Sequence, residues 1–575
     1  MSLPILRRPL HGEPLSDSLH PVIDRIYRAR AVTSMEDIDT GARGLAHYNQ
    51  LAGVTAAAGI LADAIAAQRK IIIVGDFDAD GATSTTVCLL ALKQMGHTNT
   101  DYLVPNRFDF GYGLSEPIVD IAHEQGAELI ITVDNGISCL PGVARAKALG
   151  MQVIVTDHHL PGKELPDADA IVNPNQPGCT FPSKALAGVG VAFYLMLACR
   201  AELQAREWFT QQGLPVPNLA DLLDVVAVGT VADVVALDKN NRILVHQGLQ
   251  RIRSGKCRPG IKALVEVANR EPAYLSASDL GFVVGPRLNA AGRLDDMAMG
   301  IACLLEDDPM QARMMAAELD SLNQQRREIE AGMREEAMQT VASITLSEDD
   351  MPPALVLYKK DFHQGVIGIV AGRIKEQYNR PVIAFAHQDD TIIKGSARSI
   401  PGVHIRDVLE EVSTANPGLI DKFGGHAMAA GLSLPLANLT AFESAFSEVA
   451  GAHLANRDDT DAIWSDGPLS AAELGLAFAH QLRQAGPFGQ GFEMPVFDGV
   501  FELVHQRIVG QKHLKLVLRT PEGDEIDGIA FNVDTSVWPA PDVRFVEVAY
   551  QLDVNVFRGR ESVQMLIEQL SVYEK

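Results

Sequence analysis

The sequence predicts an α/β protein in which Asp and His residues cluster on a mostly parallel sheet, followed by a long connecting helix, a second α/β domain and a C-terminal β barrel. Three observations carry that expectation. Short apolar runs at Ile71 to Gly75, Glu128 to Val133 and Val153 to Thr156 alternate with helix-like segments, the rhythm of βαβ units whose strands are covered on both faces. The stretch from Pro309 to about Ile344 repeats apolar residues at three-, four- and seven-residue spacings without an internal proline. Beyond Gly491 the texture changes to two-residue alternation broken by turn residues.

The 575 residues are too many for one core and, at roughly 100–200 residues per domain, imply three or four domains. The boundaries read as an N-terminal segment (1–45), a catalytic α/β domain (46–305), the connecting helix (306–350), a second α/β domain (351–460) and a barrel domain (461–575). The long helix has Asp308 as N-cap and Pro309 at its first position, with Met315, Leu319, Leu322, Ile329, Met333, Ala337, Val341 and Ile344 on its apolar face. At 1.5 Å per residue it spans about 50 Å, and Met351-Pro352-Pro353 closes it. In the terminal domain, His513 to Arg519, Ile526 to Phe531 and Phe545 to Val556 read as strands, with a turn at Pro521-Glu522-Gly523-Asp524. An OB-type barrel suits a nucleic-acid enzyme, although periodicity alone does not separate it from other small barrels.

Composition narrows the functional class. A net charge of -24 excludes a protein that coats nucleic acid through a general basic surface, so any DNA contact must be local. Cys88, Cys139, Cys179, Cys199, Cys257 and Cys303 lack CxxC spacing and support neither a zinc site nor a disulfide framework. Met1 to Asp17 has no apolar core of a signal peptide, and the longest apolar run, Ala185 to Cys199, falls short of the roughly 20 residues that span a bilayer. That run reads as a buried helix, and the cytoplasm is the expected location.

The chemistry gathers after the strands, where open parallel sheets bind ligands. Gly75-Asp76-Phe77-Asp78-Ala79-Asp80-Gly81 places three alternating carboxylates after the first strand. Such charges repel unless a hard divalent cation neutralises them, although an Asp-rich surface turn or an isolated calcium loop has the same appearance. Val133-Asp134-Asn135-Gly136 and Thr156-Asp157-His158-His159 end the next two strands, and the imidazoles add nitrogen ligands suited to Mn²⁺. Asp233, in Gly229-Thr230-Val231-Ala232-Asp233-Val234, follows a further apolar segment and supplies one more carboxylate.

Together these elements resemble the DHH phosphoesterase superfamily, named for the triplet present here as Asp157-His158-His159. The resemblance implies two divalent metal ions, Mn²⁺ or Mg²⁺, with Asp78, Asp80, Asp134, His158 and Asp233 as ligands and Asp134 bridging. The superfamily's phosphatase branch often has His four residues before the first-motif Asp, where this chain has Val74, so Asp76 either substitutes as a ligand or stays behind the ligands. Asp157 orients the histidines. In two-metal displacement, cations about 3.5–4 Å apart lower the pKa of water and stabilise the attacking and leaving oxygens. His159 then either hydrogen-bonds the phosphate or protonates the leaving oxygen, and Asp76, Asp134 and His159 are the catalytic candidates.

The second α/β domain contains His363-Gln364-Gly365-Val366-Ile367-Gly368, Gly395-Ser396-Ala397-Arg398-Ser399 and Gly424-Gly425-His426, which resemble the DHHA1 domain. Glycine pairs permit a phosphate to approach backbone N–H groups, while Arg398 and Ser396 offer charge-assisted hydrogen bonds. With Gly285-Pro286-Arg287-Leu288-Asn289-Ala290-Ala291-Gly292-Arg293, the long helix and the barrel, the whole chain is similar to the superfamily's bacterial single-stranded-DNA exonucleases. That similarity implies a 5′-phosphate pocket of Arg107, Ser396 and Arg398, and a strand path lined by Arg287, Asn289, Arg293 and His426. Tyr112 either stacks on a base or anchors its loop.

The expected function is a single-stranded-DNA-specific 5′-to-3′ exonuclease releasing 5′-mononucleotides, acting in DNA recombination and repair as a monomer with a single-stranded-DNA-binding protein and a helicase as partners. Two other readings share parts of the pattern. One is a DHH/DHHA1 hydrolase of short oligonucleotides or cyclic dinucleotides, against which the barrel and long helix count. The other is a non-catalytic replication scaffold of the Cdc45 type, which would have lost the metal ligands.

Overall fold

The computed structural model describes residues 3–106, 113–344, 351–455, 462–557 and 559–573. The chain forms two compact units, one of Met1–Leu288, Met297–Ala316 and Asp461–Lys575, the other of Asn289–Asp296 and Ala317–Thr460. The terminal barrel therefore folds with the N-terminal half of the chain. No helix among the described residues is long and apolar enough to cross a membrane.

The first unit is organised by a five-stranded, fully parallel sheet ordered Thr100–Leu103, Ile71–Val74, Leu129–Val133, Gln152–Thr156 and Ala170–Val172. Ile71–Val74 and Leu129–Val133 are wholly buried, as expected of runs without polar alternation. The chain runs outward in one direction from Ile71–Val74 to Thr100–Leu103, then crosses back to Leu129–Val133. This reversal opens a crevice at the carboxyl ends of the two central strands, the place where such sheets bind ligands. Most of the apolar run at 185–199 lies in a largely buried helix, Gly188–Ala205, as its sequence predicts.

The barrel closes in the order Phe497–Val509, His513–Arg519, Glu525–Ala530, Arg560–Val572, Phe545–Phe557. Glu525–Ala530 and Arg560–Val572 pair in parallel and the other neighbours are antiparallel, which makes this the OB-type barrel that the alternation allowed. Several contacts bind it to the N-terminal half. Ile5–Arg7 pairs in parallel with Ile463–Ser465, and the buried Arg30 guanidinium meets Asp466 at 2.7 Å. Leu237 donates its N–H to the Gln490 carbonyl at 2.7 Å, and Arg242 lies 4.2 Å from the Phe492 ring centre. Because Asp466 also accepts from Val496 N, its charge is paired and hydrogen-bonded, the condition under which burial is tolerated.

The long helix runs from Pro309 to Ile344, and Asp308 caps it by accepting from the N–H groups of Met310 and Gln311. In the second unit its buried residues Met333, Ala337 and Val341 pack with Val366, Val370 and Ile374. That unit's sheet is ordered Lys422–Gly425, Ala429–Pro435, Ile392–Arg398, Val382–His387, Leu355–Tyr358, with only the last pair parallel. The helices Ile405–Ala415 and Leu439–Ala455 fill a separate core through Val408, Leu409, Phe442 and Phe446.

Candidate metal centre and phosphate pocket

The motif after the first strand divides its carboxylates by direction. Asp78 caps the helix Ala79–Gln94, its side chain accepting from Gly81 N at 3.0 Å. Asp80, on the first turn, is buried and turns to another helix: its two oxygens accept from Gly188 N at 2.7 Å and Val189 N at 2.8 Å. Those donors begin the helix Gly188–Ala205, so its positive end holds Asp80 in place. Asn135 pins the crevice between the central strands, donating to the carbonyls of Val74 at 3.0 Å and Val133 at 2.9 Å.

Asp134 follows Val133 with a left-handed φ of 59° and is buried. Such a conformation costs about 1–3 kcal/mol and persists where the surroundings impose it. Gly188 is one reason for the fit, because a Cβ there would lie 2.6 Å from the Asp134 Cβ. Asp233 departs from the sequence expectation that the ligands end successive strands: it is the C-cap of the helix Leu223–Ala232. A carboxylate at the negative end of a helix is disfavoured, and the next residue, β-branched Val234, is held at φ 61°. Both features place strain where the carboxylates converge.

Three overlapping groups have ligand atoms within 4.8 Å of one another: Asp76, Asp78 and Asp134; Asp80, His158 and Asp233; and Asp134, His158 and His159. His158 Nε2 lies 3.2 Å from an Asp134 oxygen, 3.4 Å from Asp233 and 4.0 Å from Asp80. Asp134 thus belongs to two groups and touches the third through His158. Asp157 is engaged elsewhere. One of its oxygens accepts from His158 N at 2.8 Å, His159 N at 3.1 Å and the His159 ring at 2.7 Å, and the other accepts from Ile137 N at 2.9 Å.

The electrostatics follow from burial and crowding. Burial and the neighbouring charge of Asp78 push Asp80 up to about 7. Burial, reinforced by repulsion from Asp80 and Asp78, raises Asp134 and Asp233 well above the usual carboxylate range. Asp157 moves the other way: burial opposes its charge, but hydrogen bonding and attraction from His159 outweigh that and lower its pKa. Burial likewise opposes a charge on His159, yet the hydrogen bond and charge of Asp157 raise it to about 9. A crowd of carboxylates with imidazole beside it is the donor set of Mg²⁺ or Mn²⁺. Asp233 Oδ2 is buried without a hydrogen-bond partner among the described residues, so the residues fit cations of that class.

A second polar site lies in the other unit, at the start of the helix Ile367–Tyr378. Arg398 Nη1 donates to Ser396 Oγ at 3.1 Å and to the Ala397 carbonyl at 2.8 Å. A Cβ on Gly368 would lie 2.8 Å from both Arg398 Nη2 and Ser396 Oγ, so the guanidinium and hydroxyl converge on bare backbone in the first helical turn. Burial lowers the Arg398 pKa, a cost that a bound anion would offset. Arg293 joins this region by donating from Nη1 to the Gly365 carbonyl at 3.1 Å. Packing alone requires glycine at 365, since a Cβ there would lie 2.2 Å from the Arg293 carbonyl oxygen.

Comparison with known proteins identifies the domains that carry these residues. Family models match as the DHH family N-terminal domain over 70–230, the DHHA1 domain over 351–452 and the RecJ OB domain over 465–569. The single-stranded-DNA-specific exonuclease RecJ of Dickeya dadantii is 57% identical over 565 residues, covering 98% of both chains. Its counterpart from Escherichia coli is 55% identical over 557 residues, with 97% of this chain and 96% of that one covered. The chain belongs to the RecJ family. A crystal structure of Thermus thermophilus RecJ in complex with Mn²⁺ is also similar, with a TM-score of 0.79, 28% identity, and coverage of all of this chain and 80% of that one. The complex of that RecJ with Mg²⁺ gives a TM-score of 0.74 at 26% identity, covering all of this chain and 79% of that one.

Within the RecJ framework the remaining predicted residues fall unevenly. Arg107 and Tyr112 lie outside the described residues. Arg287 is buried, its guanidinium donating to the Val283 carbonyl at 2.7 Å. Asn289 follows on the same helix, Gly285–Leu294, and His426 sits at the hairpin joining Lys422–Gly425 to Ala429–Pro435. Sequence reasoning missed Asn135, the Gly188 and Val189 amides, and two asparagines behind the histidines. The one available signal was Gly188-Val189-Gly190, small residues inside an otherwise bulky run.

Proposed function

We propose that this RecJ-family exonuclease shortens single-stranded DNA from the 5′ end, releasing 5′-mononucleotides in DNA recombination and repair. The observation that supports the chemistry best is Asp134, shared between two metal-capable groups at the sheet's crevice. In this reading Asp76, Asp78 and Asp134 would hold one divalent cation and Asp80, His158 and Asp233 the other, with Asp134, 3.2 Å from His158 Nε2, placed to contribute to both. When bound, the pair supplies Lewis acidity that lowers the pKa of water and offsets charge on the scissile phosphate.

The chain's own groups do the rest. Asp157 keeps His159 oriented and cationic, able to donate to a phosphate oxygen or to the leaving oxygen. Ser396 and Arg398, with Arg107, take the terminal 5′ phosphate, and that end-recognition sets the polarity. Arg287, Asn289, Arg293, His426 and Tyr112 guide the strand through contacts that do not read base identity. The matched OB domain favours a long strand over a dinucleotide as substrate. We assign the domains as 46–305, 306–350, 351–460 and 461–575 after an N-terminal segment. The enzyme works in the cytoplasm as a monomer, receiving its substrate from a helicase and a single-stranded-DNA-binding protein.

Product release from 5′-labelled and 3′-labelled single strands tests the reading, with Asp134→Ala as control. Labelled mononucleotide should appear first from the 5′ label. Its earlier appearance from the 3′ label would overturn the polarity, and full activity of the control would overturn the metal site.

A further inference from the structure

The dipeptide His158–His159 lies beyond the end of its strand, Gln152–Thr156, where no sheet partner fixes its backbone. All four of its main-chain polar groups are nevertheless satisfied by side chains. Asp157 accepts from both N–H groups. The carbonyls are taken from the other side by two asparagines: Asn175 Nδ2 donates to His158 O at 2.7 Å, and Asn173 Nδ2 donates to His159 O at 2.9 Å. Asn173 is fully buried, and its Oδ1 accepts from Asn175 N at 2.7 Å, so the asparagines also fix each other. Between them stands Pro174, whose carbonyl accepts from the exposed Lys184 side chain at 2.7 Å, while Asn175 Nδ2 reaches Lys184 O at 3.1 Å.

We infer that Asn173 and Asn175 form a clasp that positions the two histidines for different tasks: Asn175 sets His158 for cation binding, and Asn173 sets His159 for the chemical step. The donors act through backbone, so neither residue needs to touch substrate or cation. An asparagine is required because the group facing each carbonyl must donate; an aspartate of the same size would set a negative oxygen against it. Groups that orient metal-binding histidines typically change metal affinity 10–100-fold when removed. The division of labour follows from the pairing, since His158 Nε2 is the nitrogen within 3.4 Å of Asp134 and Asp233 whereas the His159 ring is engaged by Asp157.

The inference rests on the metal-site reading above, and calorimetric titration of the full chain with Mn²⁺ in the absence of DNA keeps the two apart. Asn175→Ala and Asn175→Asp should weaken Mn²⁺ binding roughly 10–100-fold. Excess Mn²⁺ should restore most of the kcat. Asn173→Ala, which also frees Asn175 N, should weaken Mn²⁺ binding less than Asn175→Ala while its kcat stays low at saturating Mn²⁺. In a His158→Ala background, Asn175→Ala should have no further effect on Mn²⁺ affinity. Should Asn175→Ala not fold, the surface change Lys184→Met, which releases the Pro174 carbonyl and leaves both asparagines, should show the same weakening in smaller degree. Wild-type Mn²⁺ affinity in folded Asn175 variants, or in Lys184→Met if neither folds, would overturn the clasp. So would equal effects with and without His158. If Asp134→Ala also binds Mn²⁺ like the parent, the metal-site assignment itself fails.

Discussion

Both carboxylate oxygens of Asp80 are taken by the first amides of one helix, at 2.7 Å to Gly188 N and 2.8 Å to Val189 N. A residue in the metal-capable group is therefore also a helix cap: like Asp134 it is buried among like charges, but the two amide hydrogen bonds offset part of that cost. Asp80→Asn should destabilise the metal-free protein by about 1–3 kcal/mol, because an amide NH₂ cannot accept from the second N–H. Asp134→Asn should do the reverse and raise the metal-free melting temperature while abolishing activity. Thermal unfolding in chelator distinguishes them, and a fall in both would remove the distinction.

The raised carboxylates make the metal-free fold sensitive to pH in a defined direction. With the folded pKa of Asp80 near 7 and those of Asp134 and Asp233 also raised, the folded state binds more protons than the unfolded chain above the ordinary carboxylate range. Their contribution to stability is thus fully present below about pH 4 and lost as pH rises through about 7, by on the order of a few kcal/mol. Melting temperatures in chelator should fall between pH 5.5 and 8, and Mn²⁺ should raise them more at pH 8. A metal-free melting temperature that climbs over that interval would contradict the assignment.

Gly368 offers a test of the anion pocket that spares the charged groups. A methyl group there would press against Arg398 Nη2 and Ser396 Oγ, each 2.8 Å from its position. Gly368→Ala should lower the preference for 5′-phosphoryl over 5′-hydroxyl strands roughly tenfold, and Arg398→Ala by roughly 10–100-fold, the range for a charge-assisted hydrogen bond. Comparing kcat/KM for the two substrates checks this. Mn²⁺ affinity should not change.

Asp157 supports His159 through hydrogen bond and charge. Asp157→Asn should lower kcat by roughly 10²–10⁴-fold. Since His159 stands near 9 because Asp157 outweighs burial, its loss should also move the alkaline limb of the kcat profile to lower pH. A profile that keeps its alkaline limb would show that another group sets it.

The sheet, long helix and barrel were legible because each rests on a repeating pattern of apolar residues. The run Asp76, Asp78 and Asp80 was legible because like charges placed together demand an explanation, whereas the full ligand set followed from the resemblance to the DHH superfamily. Asp233 was legible as a carboxylate but not by its setting, since an apolar run of that length suits a strand as well as the buried helix Leu223–Ala232. Asn173, Asn175 and Gly188 escaped for a common reason. Their contributions are hydrogen bonds to backbone and unfilled space at residues close by in the fold, and neither leaves a pattern in composition or spacing.

The pairing of Ile5–Arg7 with Ile463–Ser465 also has a bearing on how the protein is made. The donor Arg7 and its acceptor Ser465 are 458 residues apart. At roughly 5–20 residues per second, the ribosome needs on the order of half a minute or more to supply the second strand. Throughout that interval the first strand has no partner, and the surface that later receives the barrel stays bare. A nascent chain can therefore build its parallel sheet long before its amino terminus is secured, and a strand end able to wait that long must resist pairing with neighbouring polypeptides on the same message.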